Sequence, residues 1–330
     1  PGDCGEEHAG LLVAAGRAAV AGGDTRLVVV QYGLGASGLA RTVHLEAPRV
    51  TTTLVDLADV APRDPGAVGE AVRRVVAETA ATTGFTEVRY DAAGVRTVPR
   101  LRVVDLPEAP FGRTPLDERD VLLVTGGGKG ITAECALAVA RESGARLVLL
   151  GRADPADDAE LAANLERMAE AGVEYRYERA DVTCPEQVRA AVARAGAELG
   201  PVTAVLHGAG RNEPTALTRL TEEEFHRTLA PKTGGLRAVL DAVDPDRLGL
   251  LITFGSIIGR AGLRGEAHYA TANDRMTELA LRFGRQHPHT RVVALEWSVW
   301  SGAGMGERLG AVEALRRDGI TPLSAADGIA

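Results

Sequence analysis

At 330 residues, with 45% hydrophobic and 25% charged side chains, the chain has an ordinary soluble composition and room for two domains. A net charge of −8 argues against a nucleic-acid binder, and no apolar run approaches the ~20 residues that span a bilayer. Cys4, Cys135 and Cys184 lie far apart with no CxxC, which argues against disulfides and zinc and fits a reducing cytoplasm. Neither end has the pattern of a signal peptide, and Pro1 in place of methionine suggests a piece of a longer polypeptide.

A helical pattern over residues 7–20 precedes a strand over 25–32, which runs into Gly33-Leu-Gly-Ala-Ser-Gly38, a literal GxGxxG. Asp56 ends another strand 18 residues past Gly38, so the acidic residue of a dinucleotide fingerprint is present too. The pattern then predicts an amphipathic helix over 66–81 and paired strands over 87–90 and 95–103. Pro107, Pro110 and Pro115 punctuate a connector, placing a boundary near 111–117 and dividing the chain into 1–115 and 116–330. No cluster of Ser, Tyr, Lys or His follows this first loop: His44 is alone, and Tyr90 has no evident partner. Its glycines therefore read as permitting a tight turn and close helix packing.

The remainder alternates strand and helix. Strands are predicted at 121–125, 146–150, 174–179, 204–207, 248–254 and 291–296, with helices over 157–171, 185–199, 221–241 and 269–286. Thr221-Glu-Glu-Glu224 is a capping box that satisfies free amides at a helix start. Such alternation predicts a doubly wound parallel sheet whose ligand lies beyond the carboxyl ends of the strands. The first of these strands enters Thr125-Gly-Gly-Gly-Lys-Gly-Ile-Thr132. There Gly126, Gly127, Gly128 and Gly130 let the backbone approach a pyrophosphate, and the helical pattern over 133–140, just past Ile131, offers its positive end. Arg152 follows the next strand and presents a planar fork suited to a phosphate, and Lys129 adds a second positive charge. Together they favour NADP over NAD, with Asp154 as the opposing feature. Asp181, beside Val182, can accept from an adenine amino group, and Gly208 and Ala209 let the backbone meet a ribose. His207 reads as a hydrogen-bonded core histidine.

Ser256 closes the strand before a Gly- and Arg-containing loop, and Tyr269 follows thirteen residues later. A spacing of four puts Tyr269 and Asn273 on one helix face. Lys232, in Ala230-Pro-Lys-Thr-Gly-Gly235, supplies an ammonium that stabilises a tyrosinate and so lowers the tyrosine pKa. With this set, residues 121–305 resemble a short-chain dehydrogenase/reductase, specifically the ketoreductase domain of a type I polyketide synthase. The general family has Tyr-x-x-x-Lys; here Asn273 takes the fourth position and Lys232 supplies the amine, an exchange typical of ketoreductase domains. Residues 38–46 resemble the truncated structural half of such domains, so the resemblance covers about 25–310. Residues 124–135 resemble the iterative synthases for enediynes and polyunsaturated fatty acids, and 295–309 look closer to the enediyne type.

The resemblance implies an α/β fold of two Rossmann-like subdomains, a structural half that binds no cofactor and a catalytic half that binds NADPH. It implies reduction of a β-ketoacyl thioester on the phosphopantetheine of an acyl carrier protein, with the other domains of a parent synthase as neighbours. Tyr269 is then the general acid, Ser256 hydrogen-bonds the same oxygen, Lys232 tunes the tyrosine and Asn273 holds the relay. Arg260 or Arg264 would meet the phosphopantetheine phosphate or the carrier protein, and 297–306 would lead into a lid that Trp300 either lines or packs. Thr132 departs from the family's TGxxxGxG, where it replaces the last glycine. Asn212-Glu-Pro214 and Ala261 stand where stereochemical signatures occur in modular ketoreductases. A stand-alone reductase of a free ketone and an inactive, shape-keeping ketoreductase remain as alternatives.

Overall fold

A computed structural model of the chain describes residues 8–57, 65–104, 115–302, 304–308, 310, 312–317 and 319–329. Cys4, Pro107, Pro110 and positions 111–114 of the predicted boundary lie outside the described residues. The chain forms two compact units. One comprises Pro1–Phe111, Glu213–Leu229 and Ile258–Glu278, and the other Gly112–Asn212, Ala230–Ile257 and Leu279–Ala330.

The first unit opens with α1 (Ala9–Ala21), β1 (Arg26–Gln31), α2 (Ser37–Glu46), β2 (Thr51–Asp56), α3 (Pro65–Ala81), β3 (Phe85–Tyr90) and β4 (Arg96–Thr97). Its sheet has the order β1-β2-β3-β4, parallel through β3, with β4 antiparallel to Arg89 and Tyr90. The strand expected over 95–103 thus shrinks to two residues, because Pro99 has no N–H to give the ladder. Leu39 and Val43 of α2 form a core with Leu217, Leu220, Phe225 and Leu229, which are distant in sequence.

The second unit then supplies β5 (Val121–Thr125), α4 (Gly130–Ser143), β6 (Arg146–Gly151), α5 (Ala159–Glu170), β7 (Tyr175–Arg179), α6 (Pro185–Leu199) and β8 (Ala204–His207). The chain returns to the first unit for α7 (Glu222–Leu229). A π-helical turn (Ala230–Gly234), α8 (Gly235–Ala242) and β9 (Leu250–Ser256) belong to the second. Next come α9 (Ile258–Ala261) and α10 (Ala267–Gln286), and finally β10 (Arg291–Trp297), β11 (Trp300–Ser301), α11 (Met305–Arg308), α12 (Val312–Arg317), β12 (Leu323–Ser324) and α13 (Ala325–Ile329).

Among the described residues the second unit's main sheet is six-stranded and wholly parallel, in the order β10-β9-β8-β5-β6-β7. Every residue of β5 and β8 is buried, as befits strands covered on both faces. Each such leucine contributes about 1.5–3 kcal/mol by leaving water. The order reverses between β5 and β8, and a ligand crevice opens outside strand ends at such a switch point.

The predicted capping box forms: Thr221 Oγ1 accepts from the Glu224 amide at 3.2 Å, and Glu224 Oε2 accepts from the Thr221 amide at 2.8 Å. The helix predicted over 221–241 is not continuous, however. Pro231 cannot donate to the preceding turn, and the ladder widens there into the π turn that carries Lys232. Among the described residues no helix is long and apolar enough to cross a membrane.

Candidate active site

Two strand–turn–helix loops carry glycines, and their backbones are used differently. In the first unit β1 ends in Gln31, whose side chain folds over the turn. Its Oε1 accepts from the Ala36 amide and the Ser37 hydroxyl, both at 3.0 Å, and its Nε2 donates to the Gly33 carbonyl at 3.0 Å. Asp56 Oδ1 accepts from the Gly33 amide at 2.9 Å. A Cβ on Gly35 would lie 2.1 Å from Gln31 Oε1, and one on Gly38 would lie 2.3 Å from the carbonyl carbon of Ala270 in α10. Donors that a pyrophosphate would need are taken by the chain itself, and the fingerprint's acidic residue bonds a turn amide. The fingerprint does not specify the residue before its first glycines, so Gln31 escaped the sequence reading.

The same unit anchors α10. Arg41 Nη1 donates to Asp274 Oδ1 at 3.0 Å and to the Gly259 carbonyl, while its Nε donates to Glu87 at 2.9 Å. Arg275 Nε donates to the Gly35 carbonyl at 2.7 Å. Arg260 lies 3.4 Å from Asp274, and Arg264 Nε donates to the Leu45 carbonyl at 2.8 Å, so both loop arginines are engaged within their unit. Tyr90 does have a partner: it donates to Glu78 at 2.6 Å with the Arg74 guanidinium over its ring, and His44 stacks on Phe85.

Tyr269 and Asn273 lie one turn apart on α10, where Asn273 Nδ2 donates to the Tyr269 carbonyl at 2.8 Å. The Oδ1 of Asn273 is buried with no hydrogen-bond partner. Burial pushes the Tyr269 hydroxyl up to about 12, with Glu266 adding to the rise and Asn273 opposing it. Within this unit desolvation of the phenolate outweighs the Asn273 bond. The phenol stays protonated at neutral pH.

In the second unit, Gly126 has φ 69°, open to glycine at no steric cost, and a Cβ there would lie 3.2 Å from the backbone of Gly208 and Ala209. Cβ atoms on Gly127 and Gly128 would strike Val124 at 2.6 Å and Leu161 at 2.5 Å. The turn thus carries no side chain at 126–128 at the head of α4, which leaves room for the close approach of a pyrophosphate, and its Gly126 amide donates to the Leu150 carbonyl at 2.8 Å. Asn164 Nδ2 pins it by donating to the Gly128 carbonyl at 3.0 Å. Lys129 Nζ bonds Asp158 at 2.6 Å, and the Gly130 amide donates to Glu160 at 3.2 Å. Ile131 lies against Gly304, where a Cβ would come within 2.9 Å of it. Thr132 is buried, and a Cβ on Gly208 would lie 2.4 Å from its Oγ1, so the glycine missing from the turn is matched by one at the end of β8.

Arg152 is 73% exposed and 3.9 Å from Asp181, whereas Asp154 is held by Arg179 at 3.1 Å. Burial works to raise the Asp181 carboxyl, but bonds from the Thr183 amide and hydroxyl, with the Arg152 charge, hold it below its usual range. Val182 packs beneath Gly235 of α8. Thr125 Oγ1 lies 2.9 Å from His207 Nδ1 and accepts from the Ala209 amide at 3.2 Å. His207 Nε2 faces the Pro231 and Lys232 carbonyls at 3.1 Å, which makes it the protonated nitrogen. Burial, with the nearby Lys232 charge, pushes His207 down to about 3, so it is the neutral core histidine expected.

Lys232 Nζ donates to the Phe254 carbonyl at 3.0 Å, two residues before Ser256 at the end of β9. A Cβ on Gly210 would lie 3.3 Å from that Nζ, so Gly210 leaves the lysine its room at the end of β8. Burial lowers Lys232 to about 8. Trp300 is 3% exposed, edge-on to Trp297 at 5.1 Å and pressed on Gly328, which makes it a packing residue.

A six-stranded doubly wound sheet with a glycine turn at its switch point defines a Rossmann-like α/β fold. The KR domain family matches residues 121–302. Among solved structures, the ketoreductase PlmKR1 from the first module of phoslactomycin biosynthesis in Streptomyces sp. HK803 is 27% identical with a TM-score of 0.80. That match covers 97% of this chain and 74% of PlmKR1. Erythronolide synthase EryA3 of Saccharopolyspora erythraea is 35% identical over 86% of this chain and 8% of its own length. Polyketide synthase PksN of Bacillus subtilis is 27% identical over 89% of this chain and 5% of its own length. The chain belongs to the KR, or ketoreductase, domain family of polyketide synthases, whose members are NAD(P)H oxidoreductases. It spans 5% and 8% of those two synthases.

Proposed function

We propose that the chain reduces a β-ketoacyl thioester, carried on the phosphopantetheine of an acyl carrier protein, to the β-hydroxyacyl thioester, with NADPH as reductant. One observation carries this reading: the buried Lys232, bonded to the strand that ends in Ser256, in a KR-family chain that also holds Tyr269 and Asn273 one turn apart. A shape-keeping domain gains nothing from a buried ammonium, whose desolvation costs stability, whereas a proton relay uses it. The family resemblance gives the residues their parts.

NADPH, when bound, supplies the hydride for the β-carbon. Tyr269 donates its proton to the alkoxide oxygen that develops there. An alkoxide is a far stronger base than a phenolate, so a tyrosine at about 12 still gives up its proton. Ser256 donates a hydrogen bond to the same oxygen, Lys232 replaces the tyrosine's proton, and Asn273 holds the relay. The Gly126–Gly130 backbone would hold the pyrophosphate, Arg152 the 2′-phosphate, and Asp181 the adenine amino group. Phe at position 269 tests the reading: Tyr269→Phe binds NADPH normally and loses ~10²–10⁴ in turnover. Retained turnover overturns it. The finer assignment, an iterative enediyne-type synthase, is supported by residues 124–135 and 295–309. It predicts faster reduction of long polyene β-ketoacyl thioesters than of short ones under equal conditions.

A further inference from the structure

Three acid–base pairs surround the place where a dinucleotide's adenosine end would lie, and they differ in tightness. Lys129 and Asp158 meet at 2.6 Å, Arg179 and Asp154 at 3.1 Å, and Arg152 and Asp181 only at 3.9 Å, beyond a hydrogen bond. The Lys129 partner is itself fixed: Asp158 caps α5, its Oδ1 accepting from the Leu161 amide at 3.0 Å. Asn164, on the same helix, ties α5 to the Gly128 carbonyl. Thus the ammonium in the glycine turn is hydrogen-bonded to a positioned carboxylate, while Arg152 faces Asp181 without a hydrogen bond and is 73% exposed.

We propose that Asp158 is a specificity-determining residue: by pairing with Lys129 it leaves Arg152 alone to discriminate a 2′-phosphorylated dinucleotide from its unphosphorylated form. This rests on the NADPH reading above. Lys129, which the sequence makes a second phosphate ligand, is on this account nearly silent in the native chain. Asp158→Asn tests it cleanly, because asparagine caps a helix as well as aspartate does and only the charge is lost.

Fluorescence titration of NADPH and NADH onto the purified chain, Asp158→Asn, Lys129→Met and the double variant gives the readout, with no turnover needed. Asp158→Asn should tighten NADPH about three- to tenfold and leave NADH unchanged, since release of an ion-paired lysine is a modest effect. Lys129→Met should cost little in the native chain and abolish the gain in the Asp158→Asn background. Equal shifts for both dinucleotides, no shift, or the same Lys129→Met loss in both backgrounds would overturn the proposal. A native chain that binds NADPH and NADH alike sinks the NADPH reading and this inference with it. A native preference for NADPH that Asp158→Asn leaves untouched sinks only the role of Asp158.

Discussion

The two glycine turns, 33–38 and 126–130, follow the same local grammar of strand, tight turn and helix, and are lined differently. In the first, a glutamine amide and an aspartate consume the turn's donors, and Gly38 lets α2 press against the backbone of α10. In the second, glycines remove side chains from a cradle at the switch point, and the neighbouring helix α5 steadies it from the side. A fingerprint therefore specifies a backbone shape, and the residues beside it decide whether a side chain fills that shape, as Gln31 does, or stays clear of it.

Exchanging side chains at the turns should separate the two uses. The largest effect is expected from Gly126→Val, which forces a β-branched residue to φ 69° and against Gly208 and Ala209. NADPH affinity should fall by about 10² or more, as displacements near 1 Å do at such sites, measured by titration. Gly38→Ala places its Cβ 2.3 Å from the Ala270 backbone and should cost about 1–3 kcal/mol in denaturant unfolding, with the NADPH Kd of the folded fraction unchanged. A weakened Kd in that variant would erase the contrast between the turns. Gln31→Ala strands the Ala36 amide and the Ser37 hydroxyl and should cost about 1–3 kcal/mol by the same assay, again without touching NADPH.

A pH series sharpens the contrast from the second unit's side. Burial takes Lys232 from 10.5 to about 8, so between those values the unfolded chain holds a proton that the folded one has released. Stability should rise with pH across that window, while turnover, which uses the ammonium, falls above about 8. Lys232→Met should flatten the stability rise as well as abolish turnover. The smallest effect is expected from Thr132→Gly. It restores the family's glycine but empties the space over Gly208, and should lower stability by about 1 kcal/mol with little change in NADPH affinity.

Much of this was legible in the residues. The unbroken apolar strands 121–125 and 204–207, the capping box at Thr221 and the spacing of Tyr269 and Asn273 all reflect local rules of period and hydrogen bonding. What escaped depends on partners far away in sequence. Nothing in Gly33–Gly38 announces that Gln31 will fold back over it, that Arg275 will bond Gly35, or that Ala270 will take up the space over Gly38. The π turn at Ala230–Gly234 hid because its apolar period resembles that of an α-helix, and only Pro231 marks the break.

Gln31 can also be regarded as a ligand that is covalently attached and never dissociates. Its effective concentration is set by the chain, so the first turn stays saturated under every condition in which the unit is folded. On the proposed function the second turn would be stabilised by mass action instead, by about 2.7 kcal/mol when the dinucleotide stands at a hundred times its Kd. Amide exchange should accordingly slow at 126–130 as NADPH is added and hold constant at 33–38. On the proposed function one turn would sense the supply of reductant, and the other would be insulated from it.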